Sequence, residues 1–229
     1  MPSSVARPAR NGDETLKALL FDLDGTLAET DSLHFPAWAA VLEPHGVEVD
    51  AEFYRDRISG RLDDEIAAEL LPHLPEAEAR TVVHSKEVAF REQAGEVLPL
   101  PGLVEVLEKA RGRGLRMALV TNAPRENAAF MLRTLGLEGF FDLEVLAEEV
   151  AFGKPDPLIY VTALERLGVG PERAVAFEDS PSGIRSAVGA GLFTVGIAST
   201  HDPEKLMSAG ASVVAADFRD PQMRSGLGL

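Results

Sequence analysis

Leu16-Lys17-Ala18-Leu19-Leu20-Phe21-Asp22-Leu23-Asp24-Gly25-Thr26 is the stretch on which the reading of this chain turns. Its first half is short and nearly all apolar, and its second half is built of turn residues. A run of this length closed by a turn fits a strand buried on both faces of a parallel sheet. The pattern recurs at Leu115–Val120, ending at Thr121-Asn122, and at Ala174–Phe177, ending at Glu178-Asp179. It recurs again at Phe193–Ile197, ending at Ala198-Ser199, and at Ser212–Val214. Between these runs, apolar residues at three- and four-residue spacing mark helices: Leu103/Val106/Leu107/Ala110, Ala128/Met131/Leu132/Leu135 and Ile159/Ala163/Leu164/Leu167. Strands alternating with helices predict an α/β fold with a doubly wound, mainly parallel Rossmann-like sheet. Polar residues follow the strands, where such folds place their sites.

One segment breaks the alternation. Residues 33–97 show helical pattern interrupted by Pro36, Pro44, Gly46, Gly60, Pro72 and Pro75, with no convincing strand. Leu98-Pro99-Leu100-Pro101-Gly102 reads as the hinge back to the α/β part. The expected organisation is a disordered tail over 1–16, a core domain over 17–32 and 98–229, and a helical cap over 33–97. An insertion placed after the first strand's loop would lie over the strand ends as a lid.

The chain has 229 residues, with 22 Lys+Arg against 37 Asp+Glu, a formal net charge of −15 and no Cys. Such acidity argues against binding to nucleic acid or an anionic membrane. No apolar run reaches the ~18 residues of a membrane span, and the first residues lack the apolar core of a signal peptide, so a soluble cytoplasmic protein is expected. Absence of Cys excludes disulfides, thiol nucleophiles and thiolate metal sites, leaving oxygen or imidazole to hold any metal.

Asp22 and Asp24 sit one residue apart after a buried strand, so both carboxylates can face one cleft. Local turn geometry would also use Asp and Gly here. Glu178-Asp179 adds a second acidic pair at another strand end, and one of Asp179 or Ser180 can cap the helix that begins near Pro181. Capping needs one side chain and leaves the other acids unexplained. Converging carboxylates without Cys or nearby His favour a hard divalent ion, with Mg²⁺ the usual one where phosphate is also bound. Lys154, held between Gly153 and Pro155, suits pairing with a buried anion, although viewed alone a lysine in such a loop is more often exposed to solvent. It is no P-loop lysine, because Pro155 stands where Ser or Thr is required. Gly112-x-Gly114 precedes a strand and has Met117 in place of the third Gly, so it is no dinucleotide fingerprint. Thr121-Asn122 offers a hydroxyl, an amide and backbone N–H groups suited to phosphate oxygens, or an ordinary helix start.

The order Asp-x-Asp-Gly-Thr, Thr-Asn, Gly-Lys-Pro, Glu-Asp, each at a strand-end loop, resembles the haloacid dehalogenase-like superfamily over roughly residues 17–217. Within it, the chain is similar to the group with an α-helical cap after the first motif, which includes phosphoglycolate phosphatase-like enzymes and β-phosphoglucomutase. The resemblance implies Asp22 as nucleophile, and Asp24 as acid and base, neutral when substrate arrives. It implies Mg²⁺ held by Asp22, Asp179 and the Asp24 carbonyl, with Glu178 in or beside that set. It further implies Thr121, Asn122 and Lys154 on the phosphoryl group, and a small phosphorylated metabolite as substrate. Phosphatase is the expected activity and a phosphomutase the alternative. A non-catalytic phospho-receiver module is disfavoured by the helical insertion and by Asp24. His34, Arg61 and Lys86 resemble cap-side residues of the mutase and its phosphatase relatives, and are candidate substrate contacts. Asp63 departs from the mutase pattern, which carries a phosphate-binding Arg there, as Thr26 departs from its Val. The expected assembly is a monomer or weak homodimer.

Overall fold

The computed structural model describes residues 15–93, 95 and 97–229. Among them, six strands form one all-parallel sheet: β1 (Ala18–Phe21), β2 (Arg116–Thr121), β3 (Leu143–Leu146), β4 (Ala174–Glu178), β5 (Phe193–Ile197) and β6 (Val213–Ala215). The order is β3-β2-β1-β4-β5-β6. The chain builds outward from β1 in one direction and then crosses to the other side, so the order reverses between β1 and β4. In a doubly wound sheet the crevice at the strands' carboxyl ends opens there.

The two-residue period of β1 sorts its side chains. Leu19 and Phe21 enter one apolar layer with Met117, Leu119, Val175, Phe177 and Val195. Ala18 and Leu20 enter the other with Ala118, Val120, Ala174 and Ala176. The first layer is covered by α5 (Leu103–Gly112), α6 (Arg125–Thr134) and α10 (Pro221–Leu227), and the second by α7 (Leu158–Leu167) and part of α8 (Pro181–Gly189). Phe21 stacks on Phe177 with ring centroids 4.8 Å apart. Such a pair contributes about 0.5–1.5 kcal/mol beyond its buried area and clamps the two strands that carry the acidic loops. At the far edge, α9 (Pro203–Ala209) packs through Leu206 on Ile184 of α8.

β3 is absent from the sequence reading. It is an edge strand whose Glu144 faces solvent, so Leu143-Glu144-Val145-Leu146 lacks the unbroken apolar run of the central strands. β6 is shifted by one residue, to Val213–Ala215. The disordered-tail expectation falls outside the described residues except for Thr15, which Arg173 reaches, and Leu16, which packs on the core.

Between β1 and α5 the described chain forms α1 (Asp31–Leu42), α2 (Ala51–Arg57), α3 (Asp63–Leu70) and α4 (Glu76–Gln93). α1 begins two residues before the boundary read at 33. These helices enclose their own cluster of Trp38, Leu42, Tyr54, Ile58, Ile66 and Leu71. Ala37 and Phe90 join the sheet's layer instead, rooting α1 and α4 in the core. Leu100 N–H donates to the Leu27 carbonyl and Pro99 bridges Ala28, so the two crossings into and out of the helical part run side by side.

Candidate active site

Asp22 continues β1 by one residue, its N–H donating to the Phe177 carbonyl at 3.0 Å. The turn that follows needs glycine. Gly25 has φ +73°, and a Cβ there would overlap the Asp179 carboxylate and lie 2.6 Å from Thr200 Oγ1. The Ser199 hydroxyl, from the loop after β5, donates to the Gly25 carbonyl and fixes this turn.

β4 ends on Glu178, which is fully buried. The cap of α8 is Ser180, whose Oγ accepts from the Gly183 N–H at 3.0 Å, so Asp179 is left to the site. Lys154, 3% exposed, reaches in from the loop between β3 and α7. Its Nζ lies 2.5 Å from Asp22 Oδ1 and 2.6 Å from Glu178 Oε1. Asn122 fixes the Lys154 backbone: its Oδ1 accepts from the Lys154 N–H at 3.0 Å, and its Nδ2 donates to the Lys154 carbonyl at 3.2 Å. Thr121, the last residue of β2, accepts at Oγ1 from the Ala123 N–H at 3.0 Å.

Burial pushes the Asp22 carboxyl up to about 7; Lys154 opposes this, and Glu178 and Asp24 add to it. Burial, with the Asp22 and Glu178 charges added, raises Asp179 well above the carboxylate range against the hydrogen bond from Thr200. Burial works against the charge of Lys154, but Asp22 and Glu178 outweigh it and hold the ammonium on. Oxygen atoms of Asp22, Glu178 and Asp179 all lie within 4.8 Å of one another. Glu178 Oε1 takes Lys154 and the Tyr160 hydroxyl, which donates at 2.7 Å, while Oε2 is buried without a hydrogen-bond partner. Three carboxylates against one lysine leave a negative excess, and an all-oxygen donor set with an orphaned buried oxygen fits a hard divalent cation.

Asp24 faces the other way, toward the helical insertion. Thr30 Oγ1 donates to its Oδ1 at 2.8 Å, and His34 Nε2 lies 3.3 Å from the same oxygen. Burial works to raise this carboxyl, but the His34 and Thr30 contacts outweigh it and hold it below the usual carboxylate range. In the free chain these contacts favour the carboxylate form of Asp24. His34 also stacks on Phe90, with centroids 4.0 Å apart and planes 5° apart, so it is both a packed helix residue and a neighbour of Asp24.

Asp22, Asp24, Thr121, Asn122, Lys154 and Asp179 from the sheet domain and His34, Arg61 and Lys86 from the insertion line one cavity. Glu178 lies behind this lining. Arg61 Nη1 donates to Glu69 Oε2 at 2.7 Å and to the Arg57 carbonyl at 2.8 Å, so it is tied to the insertion's own helices. Lys86, 3% exposed, has Nζ 2.6 Å from Glu87 Oε1, 3.7 Å from Asp63 Oδ1 and 5.0 Å from the Trp38 ring centre. Gly60, at φ +73°, brings the insertion against α8: a Cβ there would lie 2.9 Å from Ser180 Oγ.

Sequence reasoning missed several lining residues. Tyr54 donates to Asp31 Oδ1 at 2.9 Å on the cavity wall. Asn127 of α6 donates to Glu87 Oε2 and accepts from Arg91 Nη1 at 2.6 Å, linking insertion to sheet domain. Tyr160 lies on the apolar face of α7, and the one available signal was that a buried tyrosine hydroxyl needs a partner.

The sequence profile of haloacid dehalogenase-like hydrolases matches residues 16–191. The chain is 37% identical over 203 residues to a phosphorylated carbohydrates phosphatase of Thermotoga maritima, covering 86% of this chain and 92% of that one. It is 36% identical to a validoxylamine A 7'-phosphate phosphatase of Streptomyces hygroscopicus subsp. limoneus, covering 84% and 91%. Among solved structures, a CbbY mutant from Rhodobacter sphaeroides in complex with xylulose-(1,5)bisphosphate matches with a TM-score of 0.79 and 33% identity, covering 90% of this chain and 96% of that one.

Proposed function

The chain belongs to the haloacid dehalogenase-like hydrolase family, and from that premise we propose that it is a Mg²⁺-dependent phosphatase of a small phosphorylated sugar or related metabolite. The observation that carries this reading is the position of Asp22 at the reversal of strand order, paired with buried Lys154 and flanked by Glu178 and Asp179. Asp22, Asp179 and Glu178 would hold the ion, with the Asp24 carbonyl beside them. When bound, Mg²⁺ would neutralise the carboxylate excess and polarise a phosphoryl oxygen.

An Asp22 oxygen attacks phosphorus and the ester P–O bond breaks, giving an aspartyl-phosphate and an alcohol. Asp24, beside His34 at 3.3 Å, carries the proton that goes to the leaving oxygen. Asp24 then takes a proton from water as that water attacks phosphorus, and the aspartyl bond breaks to release inorganic phosphate. Lys154, the Thr121 hydroxyl and Asn122 with the N–H groups near the start of α6 offset the phosphoryl charge. A bound substrate under α1–α4 is shielded from bulk water, which strengthens these contacts.

The test is phosphate release across a panel of sugar monophosphates. Mg²⁺-dependent turnover is expected, falling by about 10³-fold or more in Asp22→Asn and with chelator. Conversion of β-glucose 1-phosphate to glucose 6-phosphate, primed by the bisphosphate and without phosphate release, would replace this reading with a phosphomutase.

A further inference from the structure

The loop that follows β5 reads Ala198-Ser199-Thr200-His201 and carries no acid. β5 pairs with β4, with Gly196 opposite Glu178, so this loop leaves the sheet beside Asp179. Its place is fixed from several sides. The Ala198 N–H donates to the Ala215 carbonyl at 2.8 Å, and the Ser199 hydroxyl donates to the Gly25 carbonyl. His201, 7% exposed, anchors the far end of the loop. Thr200 Oγ1 thereby comes to the point where the Gly25 turn meets the Asp179 carboxylate: a Cβ on Gly25 would overlap Asp179 Oδ2 and lie 2.6 Å from Thr200 Oγ1. The Thr200 hydroxyl is hydrogen-bonded to the Asp179 carboxyl, and Ser199 Oγ lies 3.5 Å from Thr200 Oγ1.

Resting on the phosphatase reading, we infer that Thr200 is a positioning residue for the cation site: its hydroxyl orients the Asp179 carboxylate, and Ser199 ties the same loop to the turn after Asp22. Lys154 pairs with Asp22 and Glu178, so Asp179 depends on a neutral donor. A hydroxyl that donates to a carboxylate favours its charged form, which is the form that binds a divalent ion. Threonine suits the task, because its branched Cβ makes χ1 stiff and the backbone of the loop then sets the direction of the hydroxyl. Partners of this kind hold a ligand group ready, so that little reorganisation is left for the moment of binding. A role in packing alone would rest on the methyl group of Thr200 instead, and substitution separates the two roles.

Mg²⁺ binding is measured without substrate, by isothermal titration and by the rise of the urea midpoint with Mg²⁺, which reads the ion's preference for the folded chain. Thr200→Val keeps the shape, removes the hydroxyl and should raise the Mg²⁺ Kd about tenfold or more. Thr200→Ala removes the hydroxyl without adding bulk beside Asp179 and should do the same, which covers a failure of Thr200→Val to fold. Thr200→Ser keeps the hydroxyl and should bind Mg²⁺ as the wild type does. In steady state, Thr200→Val should need about tenfold more Mg²⁺ for half-maximal turnover, with the sugar phosphate KM at saturating Mg²⁺ nearly unchanged. An unchanged Mg²⁺ Kd in the variants without the hydroxyl overturns the inference, as does an equal loss in Thr200→Ser, which would assign the effect to packing. If the wild type itself binds no Mg²⁺, the proposed ion-dependent function fails and this inference falls with it.

Discussion

Two lysines in this chain are each set between two carboxylates and over an aromatic ring, and the contrast between them separates the sheet domain from the helical insertion. Lys154 lies between Asp22 and Glu178 with its Nζ 5.4 Å from the Tyr160 ring centre; Lys86 lies between Glu87 and Asp63 at 5.0 Å from that of Trp38. The partners of Lys154 come from strands held in register, with Phe21 opposite Phe177, so their carboxylates cannot move apart. Asp179 adds a third acid, and the cluster needs a cation beyond its lysine. Lys86 takes its partners from its own helix and from the start of α3. The same local arrangement is therefore joined by a third acid in the sheet domain and built from neighbouring helical positions in the insertion.

The largest test of this contrast is removal of each lysine. Lys154→Met strands two buried carboxylates, Asp22 and Glu178, and should cost about 3–5 kcal/mol of unfolding free energy in chelator. Excess Mg²⁺ should recover part of that loss by binding only the folded chain. Lys86→Met should cost less and gain nothing from Mg²⁺. Urea denaturation of both variants with and without the ion checks this, and a Mg²⁺-sensitive Lys86→Met would break the distinction.

A smaller effect lies in pH. Asp22 and Asp63 bind protons more tightly folded than unfolded, at about 7 and about 8 against an ordinary value of 3.8. Above roughly pH 4 the unfolded chain releases protons that the folded chain keeps, so stability falls as pH rises toward 7 or 8. Saturating Mg²⁺ should remove the part of this slope that belongs to the sheet domain, and Asp63→Asn should flatten what remains. Denaturation midpoints from pH 5 to 8 would show it, and a slope indifferent to Mg²⁺ would contradict the assignment of the ion site.

The smallest concerns the seam between the two regions. Gly60→Ala forces a side chain into left-handed backbone and against Ser180, a cost of about 1–2 kcal/mol borne where the insertion meets α8. The expected result is a raised KM for sugar phosphates with thermal stability of the sheet domain little changed, measured by steady-state kinetics beside a melting curve.

Much of the sheet domain was legible in the sequence because burial on both faces of a parallel sheet demands continuous apolar runs, and polar residues can only follow them. Asp22, Thr121 and Glu178 announced themselves in this way, and Lys154 by its place between Gly153 and Pro155. β3 escaped because exposed Glu144 interrupts its short apolar run. The contacts that hold Asp24 escaped because they come from Thr30 and His34, whose approach is set by the start of α1. Asp63 stood out only as a departure from the mutase pattern, and Glu87 and Asn127 gave no signal at all: each is an ordinary polar residue at a helical position, and their meeting depends on how α3, α4 and α6 pack.

The amino-acid sequence by itself determined the α/β alternation, the helical insertion after the first motif and the acids at the strand ends, since these follow from local periodicity and from chain order. Tertiary structure alone decided which charges neutralise one another, because pairing between buried groups depends on distance and dielectric between elements far apart in the chain, which no local pattern encodes.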